Sequence, residues 1–183
     1  MVYSLYFVAV ASFLITKSDL FLAVWEVFTI IGAIVLLSIL LDISKCIGIS
    51  VLYKDLMMVF MSCTICLTSL AHFVNIAVTR ILLENGVEIP TYFQIGYWPS
   101  IEMSIDYLAW GLFMGLSFLV VGIAISPKSK YKTIKNTILV CSFLCFSGFL
   151  GAVLINQNFW YLAPLGYGFG TIIICIEMIK YKQ

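Results

Sequence analysis

Six side chains in this sequence have the chemistry to hold a polar ligand or move a proton: Glu26, His72, Asn75, Arg80, Glu102 and Asp106. Each lies within or at the edge of a long apolar run. An ionisable group there costs about 2.5–3.5 kcal/mol on insertion scales, which makes it a functional candidate by default. A carboxylate beside an imidazole can take up and return protons, while an amide or a guanidinium can orient a polar ligand. Each residue also has a plainer reading. Glu102 follows Pro99-Ser100, so it falls in a first helical turn, where a carboxylate favours the helix dipole. Glu102 and Asp106 stand at i, i+4 and would repel if both were ionised. Arg80 is placed to anchor a membrane boundary by reaching the headgroups, or to pair with Glu26 or Asp106. His72 alone reads as a hydrogen-bonded structural histidine, and Glu177 beside Lys180 reads as an interfacial pair.

The elements that must position these residues follow from composition. The chain has 183 residues, 63% hydrophobic and 10% charged, with a net charge of +1. Its mean hydropathy is +1.11. A soluble domain carries about 25% charged residues to cover its surface. These values exclude a soluble globule, a disordered chain and a nucleic-acid binder, which would need a basic excess. The chain reads as an all-α integral membrane helical bundle forming a single transmembrane domain over 1–183.

A crossing helix needs about 20 apolar residues. Charges and turn residues divide the chain into six such runs, at about 2–16, 20–41, 56–79, 101–125, 137–155 and 164–179. The first is the shortest, giving roughly 23 Å of helix against a core of about 30 Å. A cleaved signal peptide would need a basic start, and no Lys or Arg precedes Lys17, so this run is expected to be a transmembrane or partly inserted helix. The short link to the second run predicts a tight helical hairpin, with Asp19 capping the second helix. Six crossings put Lys45, Lys54, Lys128, Lys130, Lys132, Lys135, Lys180 and Lys182 on one side, leaving Lys17 and Arg80 on the other. Basic residues are retained in the cytoplasm, so both termini are expected there, in a plasma membrane. The stretch Lys128–Lys135 reads first as a topology determinant and second as a contact for anionic lipid headgroups.

With that topology, depth below the outer boundary follows from 1.5 Å per residue. Glu26 lies about 9 Å down, His72 about 12 Å, and Asn75 and Asp106 about 7–8 Å. Three helices thus bring carboxylate, imidazole and amide groups to one level on the external side. The 20-residue connection Ile81–Ser100 is long, apolar and aromatic, and it runs straight into Glu102 and Asp106. It reads equally as a lid or as an interfacial loop without a gating role.

Small residues mark where helices approach closely in lipid. Gly111, Gly115 and Gly122 share a helix face that serves internal packing or a homo-oligomer interface. Gly148, Gly151, Gly166, Gly168 and Gly170 offer similar grooves. The six cysteines, Cys63-x-x-Cys66 included, fall in spans or on the cytoplasmic side and read as packing residues. A single histidine excludes multi-histidine zinc sites. Motifs for serine hydrolases, Walker nucleotidases and dinucleotide enzymes are absent, so no metal or cofactor is expected.

The stretch from Ala71 to Ile125 resembles a family of small, uncharacterised prokaryotic multi-pass membrane proteins. The residues that carry the likeness are Asn75 before Arg80, an intervening loop, and then Tyr97-Trp-Pro-Ser-Ile-Glu-Met-Ser-Ile-Asp-Tyr-Leu-Ala-Trp-Gly-Leu-Phe-Met-Gly-Leu. The resemblance implies the helix start before Asp106 and no residue roles. Taken together, the residues point to a protein that binds or transports a small molecule or lipid through an outward-facing pocket, with membrane lipids as its surroundings. The alternatives are a non-catalytic sensor or interaction subunit in which these groups pair internally, and a lipid-modifying enzyme using His72 and a carboxylate.

Overall fold

The computed structural model describes residues 2–16, 18–95, 97–154 and 156–182. Its long elements are all helical: α1 (Val2–Thr16), α2 (Asp19–Ile47), α3 (Val51–Glu84), α4 (Ile101–Ala124), α5 (Lys132–Val153) and α6 (Leu162–Tyr181). Five of them, α2 to α6, are long and apolar enough to cross a membrane. The chain is a helical membrane protein. α1, with 15 residues, falls below that length. It folds back along α2, where Tyr6 and Phe13, two helical turns apart, bracket Trp25 at ring distances of 6.5 and 5.8 Å. Lys17, and the side chains of Asp19 and Lys182, lie outside the described residues, and with them the expected Asp19 cap.

The helices outrun the apolar stretches that announce them. α2 continues through Asp42 and Lys45 to Ile47, α3 through Arg80 to Glu84, and α5 begins at Lys132. A charge marks where the chain meets water, but Asp, Lys, Arg and Glu are all accommodated in a helix, so they do not end one. Backbone chemistry does. α2 stops where Gly48 takes φ +70°, and its N–H and that of Ile49 both bond the Ser44 carbonyl, at 3.0 and 3.2 Å. α3 stops at Asn85-Gly86, with Gly86 at φ +73°. The connection between α3 and α4 is therefore shorter than expected. It contains one tight turn at Thr91–Phe93 and is largely exposed.

The chain forms two compact units, 1–35 with 65–106, and 36–64 with 107–183. Their interiors differ in kind. In the second, large apolar side chains fill the core: Leu36, Leu40, Met57, Met61, Met114, Phe118, Ile125 and Ile138 are essentially inaccessible. Here α4 and α5 run antiparallel in close contact. An added Cβ at Gly111 would stand 2.6 Å from the Phe149 Cβ, and one at Gly122 2.6 Å from a Leu139 methyl. At Gly115 it would meet Phe146 and Cys145. The glycine face read from the sequence is thus occupied by α5 of the same chain, and Ser142 Oγ donates to the Gly115 carbonyl at 2.8 Å. The basic segments gather at one end of this unit. Tyr131 meets Tyr181 edge-on, at 5.0 Å between ring centres, and its hydroxyl donates to the Cys46 carbonyl. Lys135 Nζ caps the Ile125 carbonyl at 2.7 Å.

In the first unit, the buried hydrophobic residues among those described are alanines: Ala9, Ala33 and Ala71. What fills its interior instead is polar: Glu26, Thr29, Thr68, His72, Asn75, Thr79, Ser100 and Glu102. Large apolar side chains such as Val27, Ile34, Leu70 and Phe73 point outward. Lipid is as apolar as leucine, so outward leucines cost nothing there, and polar contacts between helices take over the role of a core.

Candidate functional site

α3 supplies one wall of the site. Thr68, His72, Asn75 and Thr79 recur at intervals of four, three and four, so they share a face, and all four are buried. Within this face the helix widens to a π-turn over Asn75–Thr79, where the Arg80 N–H bonds the Asn75 carbonyl. Such wide turns interrupt the regular backbone ladder and occur often at functional positions.

α2 contributes Glu26, 2% exposed, whose two carboxylate oxygens are both engaged by α3. Oε2 meets His72 Nδ1, and Oε1 accepts a bond from Asn75 Nδ2 at 2.9 Å. The first turns of α4 supply the remaining acids. Ser100 starts this helix by accepting the Met103 N–H on its hydroxyl at 3.1 Å, the standard N-cap arrangement. Glu102 follows, 4% exposed, and takes a bond from Thr79 Oγ1 at 3.1 Å on Oε1, while its Oε2 is buried without a hydrogen-bond partner. One turn on, Asp106 Oδ1 stands 3.3 Å from His72 Nε2. The distance is close, but the angles do not make a hydrogen bond, so both atoms remain unsatisfied. Asp106 is also the most open member of the cluster, its side chain 21% exposed against 2% for Glu26.

The imidazole therefore has a carboxylate on each nitrogen, one joined tightly and one loosely. Two carboxylates in line with one ring are an arrangement for passing a proton rather than for chelating a metal. Among the described residues no group of three or more His, Cys, Asp or Glu could hold a metal ion.

Beside the cluster lies a cavity of about 170 Å³ lined by Leu22, Asn75, Arg80, Leu83 and Glu84. At about 30 Å³ per water it has room for five or six water molecules, or one small polar ligand. Asn75 belongs to both places, lining the cavity and holding Glu26.

Of the six residues singled out in the sequence, Glu26, His72, Asn75, Glu102 and Asp106 meet in one cluster. Arg80 does not join it. Its guanidinium turns to Glu84, 3.8 Å away at i+4, and pairs with neither Glu26 nor Asp106. Glu177 and Lys180 form the expected pair at 2.7 Å. Thr79, Ser100 and Glu84 were not anticipated. The threonine was within reach, because seven residues from His72 and four from Asn75 put it on the same helix face. No family model, curated protein or solved structure matches this chain.

Proposed function

We propose that this chain is a membrane protein that binds, and in turn transports, a small zwitterionic molecule or lipid headgroup through the cavity beside Glu26. One observation carries the reading: the open cavity adjoins the cluster that contains Glu26, His72 and Glu102, the buried ionisable side chains among the described residues of the first unit. Its lining names the ligand class. Arg80 and Glu84 present opposite charges 3.8 Å apart, both partly exposed, in a pairing that contributes only a few tenths of a kcal/mol at such sites. A zwitterion can replace it at little cost, with its anionic group on Arg80 and its ammonium on Glu84. Leu22 and Leu83 suit the apolar remainder.

Six crossings, α1 among them, would put this cavity on the external side and both termini in the cytoplasm of a prokaryotic plasma membrane. The lysine-rich ends of α2, α5 and α6 support that orientation, and the likeness of Ala71–Ile125 to small prokaryotic multi-pass proteins is in keeping with it.

Titration of the purified full chain with glycerophosphoethanolamine tests the reading, in parallel with nanodiscs with and without phosphatidylethanolamine. Saturable binding that weakens at least tenfold in Arg80→Gln is expected, since losing a charged hydrogen-bonding partner is worth about 1.5–3 kcal/mol. Binding in solution identifies a free ligand, and binding only from the bilayer identifies a lipid. No saturable binding in either arm, or equal binding by Arg80→Gln, contradicts it.

A further inference from the structure

We propose that Asp106, His72 and Glu26 form a proton relay, with Asp106 as the point of proton uptake and Asn75 linking the far end to the cavity. The inference deepens the reading above by naming the proton as the coupled ion, and it can be tested without any ligand.

Three observations carry it. The first is the order of the groups: Asp106 Oδ1, His72 Nε2, His72 Nδ1 and Glu26 Oε2 follow one another through a single imidazole. Imidazole is the side chain that accepts hydrogen on one nitrogen while giving it up from the other. The second is asymmetry. The Glu26 half is closed, whereas at the Asp106 half two buried atoms face each other at 3.3 Å with no bond made, so a small rotation of the carboxylate completes the chain. A purely structural triad would have both halves closed, because an unsatisfied buried polar atom costs stability. The third is access. Asp106 is the partly exposed acid at one end, and Asn75, which bonds Glu26 at the other, lines the cavity.

The transfer balances. It starts with Asp106 protonated, His72 bearing hydrogen on Nδ1, and Glu26 ionised. The Asp106 hydroxyl proton moves to Nε2 as the Nδ1 proton moves to Glu26 Oε2. Asp106 is left ionised, His72 is neutral in the other tautomer, and Glu26 is protonated, so the total charge is unchanged. Asn75 continues to donate to Glu26 Oε1. A ligand in the cavity that draws on Asn75 alters that bond and so alters how readily Glu26 takes the proton. The charged groups around His72 are Glu26 from α2, Glu102 and Asp106 from α4, and Arg80 farther along α3.

His72 is the sole histidine of the chain, which makes the test direct. Full-length protein labelled with ¹⁵N-histidine, in nanodiscs, gives one imidazole to observe. For the wild type between about pH 5 and 8, the relay predicts that both ring nitrogens share hydrogen. They should show either averaged shifts or two sets of signals, one for each neutral tautomer. In Asp106→Asn one tautomer should remain. The Asp106 side chain makes no hydrogen bond within the cluster, so this variant is expected to fold, and its α-helical circular dichroism checks that. A single tautomer in the wild type that is unchanged in Asp106→Asn overturns the proposal. So does a ring protonated on both nitrogens throughout the range. Failure of glycerophosphoethanolamine to bind would leave these spectra unaffected, so the two proposals fail separately.

Discussion

Replacing Glu26 with alanine is expected to lower the stability of the folded protein by about 2–4 kcal/mol, the largest loss from any single side chain of the cluster. The magnitude is decided by two competing considerations. Hydrogen bonds between helices in membranes average only about 0.6 kcal/mol, because the unfolded chain in lipid also finds partners. Two such bonds would give little more than 1 kcal/mol. However, Glu26→Ala takes the shared acceptor from the buried His72 Nδ1 and Asn75 Nδ2, and an orphaned buried donor costs about 1–3 kcal/mol. The orphaning outweighs the bond average here because Glu26 is the shared acceptor of both. Glu26→Gln keeps one acceptor oxygen and should lose about half as much. Reversible unfolding of both variants in mixed detergent micelles measures the difference. A loss below about 1 kcal/mol for Glu26→Ala would mean that the α2–α3 contact does not depend on this carboxylate.

The second large effect belongs to the other unit and has a different origin. Gly148→Val should destabilise by at least about 1–3 kcal/mol, the range for overpacking a filled interior. An added Cβ would stand 2.5 Å from the Ala163 Cβ and 3.0 Å from its backbone nitrogen. Backbone cannot swing aside as a side-chain tip can, so α5 and the start of α6 would have to separate, and valine adds two further methyls. Gly32 on α2 is the contrast, since a Cβ there meets nothing within 4 Å and Gly32→Ala should not destabilise. The same unfolding assay reads both. Equal stability of Gly148→Val and wild type would show that the α5–α6 approach is not fixed by this glycine.

These two predictions also mark what the residues reveal unaided. The helices were legible because hydropathy reports the solvent a segment will face, and α2 to α6 all appear where the apolar runs lie. Their ends were not. Arg80, Lys132 and Lys45 mark a boundary with water, whereas the backbone ends its helices at Gly48 and Asn85-Gly86 for conformational reasons. That difference hides the cavity from the sequence, because the charge of Arg80 sets Glu84 in the loop, whereas the helix runs on to make Glu84 the last turn of α3 and Arg80's partner. The acids and the histidine were legible because each is expensive in a membrane, and counting residues from the span boundaries put them at one depth. Thr79 and Ser100 carry no such cost. A lone hydroxyl can bond its own helix, so its presence in a span signals little until the neighbouring face is known.

The central claim is that the polar interior of the first unit serves a ligand and not only the fold. Leu22→Trp tests it most directly, because it fills the cavity from its apolar side and leaves Glu26, His72, Asn75 and Arg80 in place. Thermal unfolding is followed for wild type and variant with and without glycerophosphoethanolamine. Wild type should gain about 2.7 kcal/mol of stability at a hundredfold excess over its dissociation constant. Leu22→Trp should match wild type without the compound and gain nothing with it. A gain of equal size in Leu22→Trp, or none in wild type, would contradict the account.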